Sequence, residues 1–163
     1  MNLVAFIYLY QEMFAEAIRM DEEMIAMDPT FAAAHWNLGI IHMLQGRFEK
    51  AEDALDKAVE YSGGMPSALA MQAYAYARSG DDVRAREILA ELESHRESPN
   101  RGYVAPVLIA HVYEGVGQAD DAIYWLEKAL EERDGWLIFL NAYPRFESLR
   151  GDPRFQAILD RVG

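Results

Sequence analysis

Residues 32–61 read AAAHWNLGIIHMLQGRFEKAEDALDKAVEY, and this stretch decides the fold. Two helical patterns meet at Gly46. After it, Ala51, Leu55 and Ala58 recur at i, i+4 and i+7 with charged residues between them. That spacing predicts an amphipathic helix with one buried face. Before it, a small residue, Gly39, is followed three places later by a ring, His42. The small residue lets two helices approach, and the ring fills the space one turn on. Glycine at position 46 supplies the left-handed backbone that ends a helix without Cβ strain. The stretch therefore predicts a helical hairpin.

The hairpin recurs along the chain. Ala17, Ala51 and Ala85 lie thirty-four residues apart, and Ala122 lies thirty-seven beyond Ala85, which leaves a three-residue insertion between. A period of that length, carried by helical patterns, marks stacked helix–turn–helix units. Aligned on their alanines, the units run 1–31, 32–65, 66–99 and 103–136. The small-residue and ring pair reappears as Ala5/Tyr8, Ala73/Tyr76 and Ala110/Tyr113. Gly80 and Gly117 stand where Gly46 stands, and Glu12 takes that place in the first unit. The second halves repeat as Ala85, Leu89, Leu92 and as Ala122, Leu126, Ala129. Asp81-Asp82 and Asp120-Asp121 fall where second helices start and suit the macrodipole. Ser94–Gly102 (SHRESPNRG), with few apolar residues, predicts a surface loop between units three and four.

These features resemble the tetratricopeptide repeat. Leu38-Gly39, Gly46, Phe48, Ala51 and Ala58 stand at family positions, and MFAEAIRMDEEMIAMDP (13–29) resembles the second half of a repeat with its closing Asp-Pro. Trp36 falls one place nearer Leu38-Gly39 than the family pattern has it, and His42 replaces the usual Tyr. The resemblance spans roughly residues 1–134 and implies an all-α solenoid, a right-handed superhelix of about four helical hairpins.

Residues 137–163 depart from the repeat. Asp152-Pro153 predicts a helix start, with Asp as cap and Pro in the first turn. Phe155, Ile158, Leu159 and Val162 then form one apolar stripe. A solenoid exposes its last apolar face unless a terminal element covers it, and this segment is expected to be that cover. The tail also resembles the C-terminal end of bacterial multidomain proteins, on EKALEERDGWLIFL and PRFESLRGDPRFQAILDRVG. In those, tetratricopeptide repeats follow a kinase, cyclase or winged-helix domain.

At the other end, Leu3, Val4, Phe6, Ile7, Tyr8 and Leu9 nearly surround the first helix. A helix apolar on all sides is buried, so an outer partner is expected. It is upstream sequence, the chain then being a C-terminal fragment, a second copy, or a partner. In the second case Leu3, Phe6, Ile7 and Tyr10 are the self-association candidates and the product is a homodimer through the N-terminal repeat.

Composition narrows the partners. Acidic residues exceed basic ones to give a net charge of −12. That field opposes phosphate backbones and anionic bilayers, so neither nucleic acid nor membrane is expected. No apolar run approaches the ~20 residues of a bilayer span. The N-terminus lacks the basic region and cleavage site of a signal peptide. Cysteine is absent, which removes disulfides and thiolate metal sites and leaves a cytoplasmic location as the default.

No phosphate-binding glycine loop, nucleophile elbow or HExxH occurs, and adjacent acids such as Glu22-Glu23 do not face each other on a helix. His35 and His42 lie two turns apart, ~10 Å, too far for one metal. His111 and Glu114 at i, i+3 lack a third ligand nearby in sequence. No enzyme activity, cofactor or metal is expected. Met13, Met20, Met24 and Met27 are expected to pack in the core.

In the resembled architecture the first helix of each unit lines a concave groove. Carried over position by position, the lining is Phe6, Leu9, Tyr10, Ala33, Trp36, Asn37, Ile40, Met43, Leu44, Met71, Tyr74, Arg78, Leu108, His111 and Glu114. Family members that clamp a C-terminal carboxylate present Lys, Asn and Arg there; only Asn37 and Arg78 remain. The apolar remainder suits the hydrophobic face of a partner helix or peptide. The expected function is noncatalytic protein–protein interaction with Trp36 and Tyr74 as anchors. The alternative expectation is a structural domain that dimerises at its N-terminus and fills its groove internally.

Overall fold

The computed structural model describes residues 13–98, 103–140 and 146–162, and every described element is helical. The order is α1 (Phe14–Met27), α2 (Ala32–Leu44), α3 (Phe48–Ser62), α4 (Pro66–Ser79), α5 (Asp82–Glu97), α6 (Pro106–Gly115), α7 (Ala119–Glu132), 3-10 turns at Gly135–Phe139 and Glu147–Leu149, and α8 (Pro153–Val162).

Helices pair as α2 with α3, α4 with α5, and α6 with α7, and each first helix also packs on the hairpin before it: α2 on α1, α4 on α2 and α3, α6 on α4 and α5. This shingling makes an all-α solenoid of the tetratricopeptide type. The phase alanines mark its joints. Ala17, Ala51, Ala85 and Ala122 are all 0% exposed, because only a methyl fits where paired helices cross. Leu55, Leu92 and Leu126 fill the space below them, each stabilising the stack by roughly 2 kcal/mol.

The hairpin turns follow the predicted glycines: Gly46, Gly80 and Gly117 have φ of 69°, 94° and 75°. Asp81 caps α5 by accepting from the Arg84 N–H. The loop expected at Ser94–Gly102 begins later than predicted, since α5 continues to Glu97. Arg96, in its last turn, donates to the Val104 carbonyl and pairs with Glu132, and these bonds hold the extra turn.

Beyond α7, Leu137, Leu140, Phe146, Leu149, Phe155 and Ile158 form one core with Val107, Ala110, Ala122 and Leu126. Asp152 accepts from the Arg154 N–H where α8 begins. The methionine expectation fails at both ends of α1: Met13 and Met27 are exposed, and Met20 and Met24 are half-buried. Ala17 and Asp21 supply that helix's buried positions instead.

Candidate binding site

Antiparallel pairing sorts the surface into two edges. One carries the hairpin turns at Gly46, Gly80 and Gly117. At the other, each second helix ends and the next first helix begins. Six large apolar side chains are exposed along this second edge: Met27, Phe31, Tyr61, Met65, Tyr103 and Ile138. Exposed apolar surface marks interaction sites, and Met65 and Tyr103 of this set also line cavities.

Two adjoining cavities open on that edge. The first, about 240 Å³, is lined by Ala32, Ala33, Trp36, Ala58, Ser62, Met65, Ser67, Ala68 and Trp136. The second, about 510 Å³, is lined by Met65, Pro66, Ser67, Tyr103, Ala105, Leu108, Asp134, Gly135, Trp136 and Phe139. Met65, Ser67 and Trp136 belong to both, so the cavities form one trough with Trp136 at its waist. Trp36 is only 9% exposed; its indole N–H donates to the Ser67 carbonyl, which fixes the ring across the joint between α2 and α4.

Most polar side chains of the trough are already engaged, the Ser67 hydroxyl being the exception among its described residues. The Ser62 hydroxyl donates to the Val59 carbonyl and accepts from the Met65 N–H. Asp134 accepts from the Val107 N–H with one carboxylate oxygen and from the Trp136 N–H with the other. The Tyr103 hydroxyl donates to Glu132. Charge is scarce on the first helices: α2, α4 and α6 hold only Arg78 and Glu114 among Asp, Glu, Lys and Arg.

The expected groove residues therefore divide. Ala33, Trp36 and Leu108 line the cavities. Ile40, Met43 and Met71 are buried in the core, with Leu44 packed against it, and Tyr74 is 5% exposed against Gly115 of α6. These positions face the next first helix rather than an open surface, because the shingled helices use that stripe to stack. Asn37 is buried too, its amide donating to Asp21 at 3.1 Å. Burial pushes the Asp21 carboxyl up to about 6 against the lowering effect of that bond. His111 stacks on Phe146 with ring centroids 4.6 Å apart, and Glu114 accepts from the Ser148 hydroxyl, so the tail covers this part of the lining. Arg78 is exposed at the turn edge, away from the trough. Leu3, Phe6, Ile7, Leu9 and Tyr10, expected in the groove or in self-association, lie outside the described residues.

Sequence reasoning missed Met65, Tyr103, Trp136 and Phe139. Each sits in a connection between helices, where no periodicity operates. Among the described residues, no helix is long and apolar enough to cross a membrane.

Family models for the tetratricopeptide repeat match residues 8–64 and 45–101, together more than half of the chain. No curated protein matches the sequence.

Proposed function

We propose a role for this chain from one premise: it belongs to the tetratricopeptide repeat family. Repeats of this family are protein–protein interaction modules and generally noncatalytic. The site here is the trough along the Trp36–Trp136 edge, and its ligand is an apolar segment of a partner protein. The net charge of −12 favours such a ligand over nucleic acid.

The observation that carries this reading is the trough's lining. Its walls are mainly aromatic, methionine and alanine side chains, and its polar side chains at Ser62 and Asp134 are spent on internal bonds. A ligand gains there by removing apolar surface from water, at about 25 cal/mol per Å². An engineered cavity of ~150 Å³ takes up benzene, so the first cavity is large enough for one aromatic or leucine side chain.

Affinity capture from lysate followed by identification of the bound protein tests the reading. Met65→Glu places a charge at the waist without touching the core, since Met65 is 51% exposed. The expected result is a folded variant whose specific partner is lost, a cost of ~2 kcal/mol or more. Retention of that partner by Met65→Glu and by Trp136→Ala would refute the trough as the site.

A further inference from the structure

We infer that the occupant of the trough is an amphipathic, positively charged helix with two apolar anchors seven residues apart; this deepens the trough reading above and rests on it.

Three features select it. The first is hydrogen bonding. An extended peptide needs a row of backbone partners; the trough's polar side chains at Ser62, Asp134, Tyr103 and Trp36 are occupied, and the Ser67 hydroxyl by itself supplies no such row. A helix satisfies its own backbone and brings only side chains.

The second is spacing. One cavity lies between the starts of α2 and α4, the other between the starts of α4 and α6. Packed helices sit about 8–10 Å apart, so the cavities repeat at about that distance. On a helix, residues i and i+7 share a face and are ~10.5 Å apart.

The third is charge. Exposed carboxylates stand where second helices end: Asp28 after α1, Glu60 in α3 and Glu97 in α5, with Glu131 of α7 already paired to Lys128 at 2.9 Å. Arg96, in the same row, is committed to Glu132 and the Val104 carbonyl, and Arg133 is the exposed base beside them. The floor is apolar and the exposed ends of the second helices are net acidic, which matches a helix with a leucine face and lysine flanks.

The test uses three synthetic 18-residue helical peptides on the full chain, followed by tryptophan fluorescence and calorimetry. One has leucines at i and i+7 with lysine flanks, one has the same leucines with glutamate flanks, and one has lysine flanks with leucines at i and i+5. The first is expected to bind at least tenfold tighter than either of the others in low salt. That advantage over the glutamate peptide should shrink as NaCl rises and fall further in Asp28→Lys/Glu60→Lys. Comparable binding of all three, abolished by Met65→Glu, would overturn the helix inference and leave the trough intact. Absence of binding by every peptide, together with partner capture that ignores Met65→Glu, would remove both. Sedimentation equilibrium of the chain alone completes the test: a monomer is expected, and a dimer dissociated by Met65→Glu would assign the trough to a second copy and overturn the inference.

Discussion

The Tyr76 hydroxyl donates to Asp56 Oδ1 at 2.9 Å, twenty residues back along the chain, and the Tyr113 hydroxyl donates to Glu93 Oε1 at 2.7 Å across the same interval. Each bond fastens a first helix to the second helix of the preceding hairpin. Burial, then the neighbouring carboxylate, pushes both phenols up to about 12, so they stay protonated donors. The same interval back from His42 of α2 falls on Glu22 of α1, which acts on the imidazole only through space.

Removing one phenol oxygen loosens one joint. Tyr76→Phe keeps the ring under the Arg84 guanidinium, 3.8 Å from its centroid, and leaves Asp56 its bond from Gln72. The expected cost is about 1 kcal/mol, read as a lower urea midpoint with an unchanged m-value. An unchanged midpoint would show that water replaces the bond without loss.

His42→Tyr restores the recurring phenol opposite Glu22. Burial, ahead of Lys50, holds the His42 imidazole below its ordinary 6.5. The unfolded chain then binds more protons than the folded one just below that value, so native His42 makes stability fall as pH drops through 6.5. The tyrosine variant is expected to lose that contribution and to gain roughly 0.5–1 kcal/mol at neutral pH. Thermal melts from pH 7.5 to 5 check both effects.

Asp21 pulls the other way. Its carboxyl is 0% exposed, accepts one bond from Asn37 and titrates near 6 instead of 3.8. Between those values the folded state holds the extra proton, so this residue makes stability fall as pH rises from about 4 to about 6. Asp21→Asn abolishes that slope and is expected to stabilise the protein at pH 7 by roughly 2–3 kcal/mol. Parallel pH profiles of wild type and variant would contradict the assignment.

At Gly39 α2 lies close against Leu55 of α3. A Cβ there would lie 2.8 Å from Leu55 Cδ2, and Leu55 is fully buried with no room to retreat. Gly39→Ala is therefore expected to cost about 1–3 kcal/mol, despite alanine's better helix propensity. Chemical denaturation reads it, and a gain in stability would mean the hairpin opens freely.

The frame of the molecule was legible because it repeats. Alanines at one phase and glycines at another each answer a local steric demand, which one sequence records several times over. The binding edge was not legible in the same way. In α2 the buried residues run His35, Trp36, Asn37 and then Gly39, Ile40, Ile41, apolar almost all round, so no polar stripe tells a stacking face from an open one. The family pattern consequently placed Tyr74 and Met71 in a groove when neighbouring helices cover them. Trp136 reaches the same cavity as Ala32, a hundred residues away in a different hairpin, and only tertiary structure brings such positions together.

Asp134 grips two backbone amides, one at the start of α6 and one just past the end of α7. It thus closes a ring of about thirty residues with a single side chain. Anyone transplanting the fourth hairpin into another scaffold would have to carry this carboxylate along, because a splice made at Glu132 leaves the graft without its clasp and the bridging indole without its mooring.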